Sequence, residues 1–564
     1  MRWQISEADP EAVAALSREM SLSPLLVRLL MLRGLGAPEA AERFLKPSLD
    51  HLHDPFLMTD MRAAVERLTR AIAQQEKILI YGDYDVDGTM AVVVLRTALR
   101  SLGGCVDEHI PHRLEEGYGM QTSVVERAAA EGYRVVLSVD TGIREHAVLA
   151  RARELGLDCI VTDHHLPGDE LPPACAILNP RRKDCTYPEK ALAGVGVALK
   201  LAQAVMGSRL TTRQLESYLK VACLGTIADV VPLVGENRVI ARFGLQGLGE
   251  PSQAGLTALL EVSDLTGKPV TTGDVGFRLA PRINAAGRMQ DAREVIELFT
   301  TTDRARAREI AEDLNDLNYS RQKAEEEILR EVLAEVEKNP GRVNRHSLVF
   351  AGEGWHRGVI GIVAQRIVER FYRPTLVLGI EDGKAVGSGR SIRGFHLLDA
   401  LTSAADLFDR FGGHAQAAGF ALPASSVPDL EKKFEEYARK NLSSADLEPL
   451  LRIDAEVSLD ELDWKVFDDL RRLEPCGAGN PTPVFAGRGV TIEAAPRIMK
   501  EKHLKLRVRQ GASSFDALGW QMAALGPKLP AGARVDLAFT LEANSFRGET
   551  NLQLVLKDVQ RREK

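Results

Sequence analysis

The stretch Lys77-Ile78-Leu79-Ile80-Tyr81-Gly82-Asp83-Tyr84-Asp85-Val86-Asp87-Gly88 sets a short unbroken apolar run directly against three alternating carboxylates. An apolar run without polar alternation, ended by a turn signal, reads as a strand buried on both faces. Parallel sheets covered by helices are built from such strands. Working outward, Arg134-Val135-Val136-Leu137-Ser138-Val139 and Leu157-Asp158-Cys159-Ile160-Val161 repeat the pattern. Helical sequence rich in Ala, Leu and Arg separates them, as in Thr89–Ser101 and Ile143–Leu155. The alternation predicts an α/β domain over residues 51–265.

Each of these strands runs into acids. The first meets Asp83, Asp85 and Asp87, the second Asp140-Thr141-Gly142, and the third Asp163-His164-His165. A fourth acid, Asp229, sits in the apolar Gly225-Thr226-Ile227-Ala228-Asp229-Val230-Val231-Pro232. Taken singly, each has a plain reading: a turn or helix cap for Asp83, Asp85 or Asp229, a strand terminator for Asp140, a surface or core pair for the histidines. Ligands of open parallel sheets, however, bind outside the carboxyl ends of the strands, so the clusters are expected to converge. Carboxylates gathered in one cleft repel one another unless cations neutralise them. Oxygen donors with a histidine and no thiol favour Mg²⁺ or Mn²⁺ over zinc. Two such ions about 3.5–4 Å apart would activate water and stabilise a phosphoryl transition state.

The chain has 564 residues, 45% hydrophobic and 27% charged. At about 150 residues per folding unit that is roughly three to four units, and the composition excludes collagen-like or disordered classes. Apolar stretches such as Ala91–Leu95 fall far short of the roughly 20 residues of a membrane span. Acids stand in the Met1–Val13 segment where an export signal would be apolar, so a cytoplasmic location without membrane attachment is expected. Six cysteines without a CxxC pair read as reduced thiols. From Pro481 to Lys564 there are 14 Lys and Arg against 8 Asp and Glu, a net of +6, which leaves −13 for the rest of a chain whose total is −7. A basic tail on an acidic body suits a polyanionic partner, or equally a solvated surface.

Residues 1–50 read as short helices without chemistry. Thr302–Lys338 lacks Gly and Pro and is rich in Ala, Glu, Arg and Leu, predicting a rod of roughly 50 Å within residues 266–341 that joins two lobes, with a break at Asn315 or Asn318 the alternative. A mixed α/β pattern resumes over 342–441. Short strand-like runs with intervening glycines over 442–564 predict a small β-barrel.

Asp83–Gly88, Ser138–Gly142, Thr162–His165 and Gly225–Asp229 resemble the four motifs of the DHH phosphoesterase superfamily. Gly354–Gly361, Gly387–Ser391 and Phe411–Gly419 resemble its associated domain. Leu192–Val197, Ala280–Arg288 and Glu474–Val484 narrow the resemblance to its bacterial single-stranded-DNA exonucleases, over nearly all of the chain beyond residue 50. The resemblance implies an α/β architecture: a parallel-sheet DHH domain, a smaller α/β DHH-associated domain joined by the long helix, and a C-terminal OB-type β-barrel.

It also implies two Mn²⁺ or Mg²⁺ ions held by Asp83, Asp85, Asp87, Asp140, His164 and Asp229, with Asp140 bridging. Asp163 would orient a histidine, and His165 would face the scissile phosphate. Arg113, Arg282, Ser388 and Arg390 would contact phosphate, with His414 close by. Trp355, His356 and Arg357 would meet a base or sugar, or only close the surface between the lobes. In the barrel, Lys500, Lys502, Lys505, Arg507 and Arg509 offer positive charge, and Trp520 and Phe546 offer rings for stacking, Phe546 standing where the family often has Trp. The implied activity is 5′-to-3′ exonucleolytic hydrolysis of single-stranded DNA in repair and recombination. A monomer is expected, with a single-strand-binding protein and a helicase as partners. Two other readings stand beside it: a phosphodiesterase of short oligonucleotides or cyclic dinucleotides, and a non-catalytic strand-binding scaffold.

Overall fold

The computed structural model describes residues 1–112, 116–117, 119–546 and 548–562. Arg113 lies outside the described residues. The chain divides into two compact units, His53–Asp229 with Phe243–Pro449, and Met1–Leu52 with Val230–Arg242 and Leu450–Lys564.

In the larger unit, β1 (Lys77–Tyr81), β2 (Cys105–His109), β3 (Tyr133–Val139), β4 (Asp158–Thr162) and β5 (Ala176–Leu178) form one sheet in the order β2-β1-β3-β4-β5. Every pairing in it is parallel. Ile78, Ile80 and Tyr81 are fully buried, which explains why the run carries no polar alternation. Strand order reverses beside β1, so a crevice opens between the loops leaving β1 and β3. Helix α1 (Val86–Ser101) is buried from Val86 through Leu95 and packs on α2 (Gly194–Met206) and α3 (Thr212–Ala228).

Farther along, α4 (Ala280–Met289) leads towards α5 (Arg304–Lys338), a 35-residue helix about 52 Å long at 1.5 Å per residue. It starts two residues later than expected because the Asp303 side chain caps it, accepting from the amides of Ala305 and Arg306. It does not break at Asn318, which is buried and accepts a 3.1 Å hydrogen bond from Arg321. Its buried stripe, Ala307 through Val336, follows three- and four-residue steps. The first half packs on α4, and the second on α6 (Ile360–Phe371), where Ile328, Val332 and Val336 share a core with Val363 and Ile367. A second sheet follows, with β6 (Leu348–Glu353), β7 (Thr375–Glu381), β8 (Lys384–Arg390), β9 (Arg410–Gly413) and β10 (Ala417–Pro423) in the order β9-β10-β8-β7-β6. Only β6 and β7 pair in parallel.

In the smaller unit, strand Arg2–Ile5 pairs in parallel with Leu450–Ile453. Leu26, Leu29, Leu30, Ala41 and Phe44 share one core with Phe485, Val490, Leu537 and Phe539. The N-terminal residues therefore join the C-terminal segment, because three short helices have too little apolar surface to form a core alone. Strands β11 (Phe485–Ile492), β12 (His503–Gln510), β13 (Ser513–Gly519), β14 (Arg534–Phe546) and β15 (Glu549–Arg561) form a partial ring, β11 pairing with both β14 and β12. No helix among the described residues is long and apolar enough to cross a membrane.

The same unit is pinned by Arg238, which is fully buried. Its guanidinium lies 3.7 Å from the Phe44 ring centroid and donates to the carbonyls of Phe44, Arg472, Leu473, Glu474 and Pro475. Burial lowers its pKa to about 10, yet it stays charged at neutral pH. Arg238→Met should leave these carbonyls without a donor and lower the unfolding free energy by about 3–5 kcal/mol, read by denaturant titration of Trp fluorescence.

Candidate metal centre

The loop after β1 carries the first acids. Asp85 caps α1, its Oδ1 accepting from the Gly88 amide at 2.9 Å, and Asp87 lies in the first turn. After β3, Asp140 takes a left-handed backbone (φ 60°) and its amide donates to the Thr162 carbonyl at 2.9 Å. After β4 come Asp163, His164 and His165, and Asp229 terminates α3. The three strand-end clusters converge as the strand-end rule requires, and Asp229 reaches them from the end of α3.

Ligand atoms of three sets lie within 4.8 Å of one another: Asp83, Asp85 and Asp140; Asp87, His164 and Asp229; and Asp140, His164 and His165. His164 Nε2 stands 3.1 Å from Asp140, 3.7 Å from Asp229 and 3.9 Å from Asp87. Asp140 belongs to two of these sets, the position a bridging carboxylate occupies. Close approach is permitted by glycines: a Cβ on Gly194 would fall 2.6 Å from Asp140 Oδ1, and one on Gly225 2.8 Å from Asp87 Oδ1.

Electrostatics test whether the donors fit a cation. Burial, then the neighbouring acids, raises the Asp87 and Asp140 carboxyls well above the usual carboxylate range. Asp229 is pushed up to about 7 by burial and then Asp85. His164 falls to about 4, chiefly through burial and then the charge of His165, so it is a neutral imidazole at pH 7. Asp140 Oδ1 is buried and accepts no hydrogen bond. Neutral imidazole, mutually repelling carboxylates and a buried bare oxygen together fit hard divalent cations. Asp163 behaves differently. Burial would raise it, but the hydrogen bond and charge of His165, with the amides of His165 and Ile143, outweigh that and hold it low. Its Oδ1 lies 2.7 Å from His165 Nδ1, fixing that ring. Burial opposes a charge on His165, yet Asp163 prevails and raises its pKa.

Other expected residues fall in several places. Ser388 and Arg390 lie on β8, with Arg390 Nη1 donating to Ser388 Oγ at 3.1 Å. His414 is exposed after β9. Burial lowers its pKa first, followed by the charges of Arg144, His165 and Arg181, which places it near the histidine pair. Arg282 is turned to structural work, donating to Asn315 Oδ1 at 3.1 Å and the Arg278 carbonyl at 2.7 Å. Trp355 is only 8% exposed and donates to Glu331, so its ring is core instead of a stacking platform. His356 Nδ1 accepts from the Gly358 amide, and Arg357 pairs with Glu381. In the smaller unit Lys505 and Arg507 pair with Asp516, and Arg507 and Arg509 with Glu493, so the three cations of strand β12 meet two carboxylates. Lys502 follows the β12 hairpin turn at Lys500 and Glu501, Phe546 is 68% exposed at the end of β14, and Trp520 stacks edgewise on His503.

Sequence reasoning missed Arg144, Arg181 and Asn179. All follow the carboxyl ends of β3 or β5, so the strand-end rule could have found them once β5 was recognised. Asn179 donates to the His165 carbonyl at 2.9 Å. Also missed were the amides of Gly194 and Val195, which open α2 and donate to the two oxygens of Asp87 at 2.6 and 2.8 Å.

Three family models match in order: the DHH family N-terminal domain over 77–226, the DHHA1 domain over 344–440 and the RecJ OB domain over 453–558. The single-stranded-DNA-specific exonuclease RecJ of Escherichia coli is 36% identical over 587 residues, covering 99% of this chain and all of that one. The chain belongs to the RecJ family. RecJ of Bacillus subtilis is 38% identical over 99% of this chain and 70% of its own length. The crystal structure of Thermus thermophilus RecJ with Mn²⁺ matches with a TM-score of 0.85 at 32% identity, covering all of this chain and 80% of that one, and the same protein has been solved with Mg²⁺.

Because Asp229 must lose its proton to ligate, Mn²⁺ affinity should fall about tenfold per displaced proton for each pH unit below about 7. Calorimetric titration at pH 6 and 7.5 checks the sign. Asp163→Asn should cost about 10–100-fold in turnover by releasing His165, measured at saturating Mn²⁺.

Proposed function

We infer that this protein is a Mn²⁺- or Mg²⁺-dependent exonuclease that hydrolyses the phosphodiester bonds of single-stranded DNA from the 5′ end. The observation that carries the reading is Asp140, shared between two donor sets at the switch point of the sheet, with His165, held by Asp163, beside it. Bound there, two cations would supply a hydroxide at neutral pH and positive charge for the leaving oxygen. Asp83, Asp85, Asp87, Asp140, His164 and Asp229 would hold them.

The chain's own residues do the rest. Asp163 keeps Nδ1 of His165 engaged, and Nε2 is proposed to meet a non-bridging oxygen of the scissile phosphate. Ser388, Arg390 and His414 are proposed to receive the terminal 5′-phosphate, and the charges of Arg144 and Arg181 to draw the strand inward. Water adds its oxygen to phosphorus, the O3′–P bond breaks, and O3′ takes a proton. The remaining strand again ends in a 5′-phosphate, so the same cradle accepts it. We place the activity in the cytoplasm, on strands opened by a helicase and covered by a single-strand-binding protein, in repair and recombination. The exposed Phe546 and Trp520 of the smaller unit are proposed to stack bases.

A 3′-labelled, 5′-phosphorylated single strand with Mn²⁺ should shorten stepwise, while a blunt duplex resists. Asp140→Ala should lower turnover about 10³-fold or more with an unchanged circular dichroism spectrum. Cleavage confined to short oligonucleotides would favour the small-substrate phosphodiesterase, and binding without cleavage the scaffold.

A further inference from the structure

Two backbone carbonyls seated on glycines connect the metal-binding loop to the strand that carries Ser388 and Arg390. Gly287, in α4, lies against the Tyr84 carbonyl, the peptide between Asp83 and Asp85. A Cβ at Gly287 would stand 2.5 Å from that oxygen. The next residue, Arg288, places its own carbonyl on Gly358, where a Cβ would stand 2.6 Å away. Arg288 Nη1 also donates to the Gly358 carbonyl at 2.9 Å, so the two segments hold each other from both sides. Gly358 leads into α6, and there Gly361 faces β8. A Cβ on Gly361 would meet Ser388 Oγ at 2.9 Å and an Arg390 guanidinium nitrogen at 3.1 Å.

Ordinary van der Waals contact begins at 3.4 Å, so a methyl at Gly287 or Gly358 demands a backbone shift of about 0.8–0.9 Å, and neither opposing oxygen is a flexible side-chain end. Both contacts lie within the larger unit, in a continuous packed path from Asp83–Asp85 to Ser388–Arg390. Packed interiors transmit such displacements because they have little free volume.

We propose that Gly287 and Gly358 are positioning residues, and that the Gly287–Arg288 segment is a spacer fixing the distance from the terminal-phosphate cradle to the metal-binding loop, and with it the number of nucleotides released per cut. The proposal rests on the reading of Ser388 and Arg390 as that cradle. A strand held by its end is cut wherever the loop meets it. Each nucleotide adds a fixed length of backbone, so a displacement near 1 Å pulls the attacked phosphorus out of line, and slippage of the strand by one nucleotide then competes with the slowed cut. Misalignment of that size costs about 100-fold in rate.

The test uses the full chain with Mn²⁺ and a 5′-phosphorylated, 3′-labelled single strand in single-turnover experiments, resolving the length of the first product. Gly287→Ala and Gly358→Ala are compared with Arg288→Met, which removes the tether to Gly358 without adding bulk at either contact. The expected result is a first-cut rate about 100-fold lower in the glycine variants, with products of mixed length in all three. Mn²⁺ affinity, read by the free-ion electron paramagnetic resonance signal, and end affinity, read by fluorescence anisotropy in EDTA, should stay within threefold of wild type. Thermal unfolding identifies any variant that does not fold, and Arg288→Met then decides alone. Single nucleotides released at the wild-type rate would overturn the proposal. So would losses of Mn²⁺ or end affinity that match the loss of rate, since those mark a merely structural role. Failure of the exonuclease reading would show in the wild-type reaction itself, whereas failure of the spacer shows only in the variants.

Discussion

Repulsion among buried carboxylates governs this molecule. Asp83, Asp87, Asp140 and Asp163 are all nearly inaccessible to water, and Asp229 stands close by. Desolvation and mutual charge would keep several of them protonated, and only cations or fixed donors make their ionised forms tolerable. Asp163 has fixed donors in the His165 ring and three amides and is held ionised. Asp87 has the amides that open α2. Asp140 Oδ1 has no such donor, and it lies where two donor sets meet. One cluster thus separates into Asp163, held ionised, and Asp87, Asp140 and Asp229, whose carboxyls are raised and suit a divalent cation.

That separation depends on backbone geometry more than on the acids themselves. A parallel sheet whose order reverses beside β1 brings the ends of β1, β3 and β4 into one crevice. Gly194 and Gly225 let helices close over it without displacing Asp140 and Asp87. In the same unit, the long helix α5 gives its first half to one lobe and its second to the other. The lobes are therefore fixed by one continuous buried stripe instead of by a flexible linker.

The basic tail shows where charge counting stops being informative. A net of +6 over Pro481–Lys564 suggested a cationic strand at Lys505, Arg507 and Arg509. Cross-strand neighbours reduce that charge: Asp516 on β13 and Glu493 beyond β11 sit opposite those residues, two carboxylates against three cations. Trp520 and Phe546 are exposed in the same unit. Arg282 and Trp355 follow the same logic. Both stand in motifs that resemble ligand-binding ones, and both are satisfied by partners distant in sequence, Asn315 and Glu331.

The sequence by itself determined the parallel sheet, the long helix and the converging acids, because each is written locally, as an unbroken apolar run, a Gly- and Pro-free stretch, or a carboxylate at a strand end. Only the tertiary structure decided which basic and aromatic side chains are taken up by partners, why the first 50 residues fold with the last hundred, and which glycines carry contacts between distant loops. Those outcomes depend on what lies opposite a residue in space, and pairing across strands and helices leaves no periodic trace in the chain.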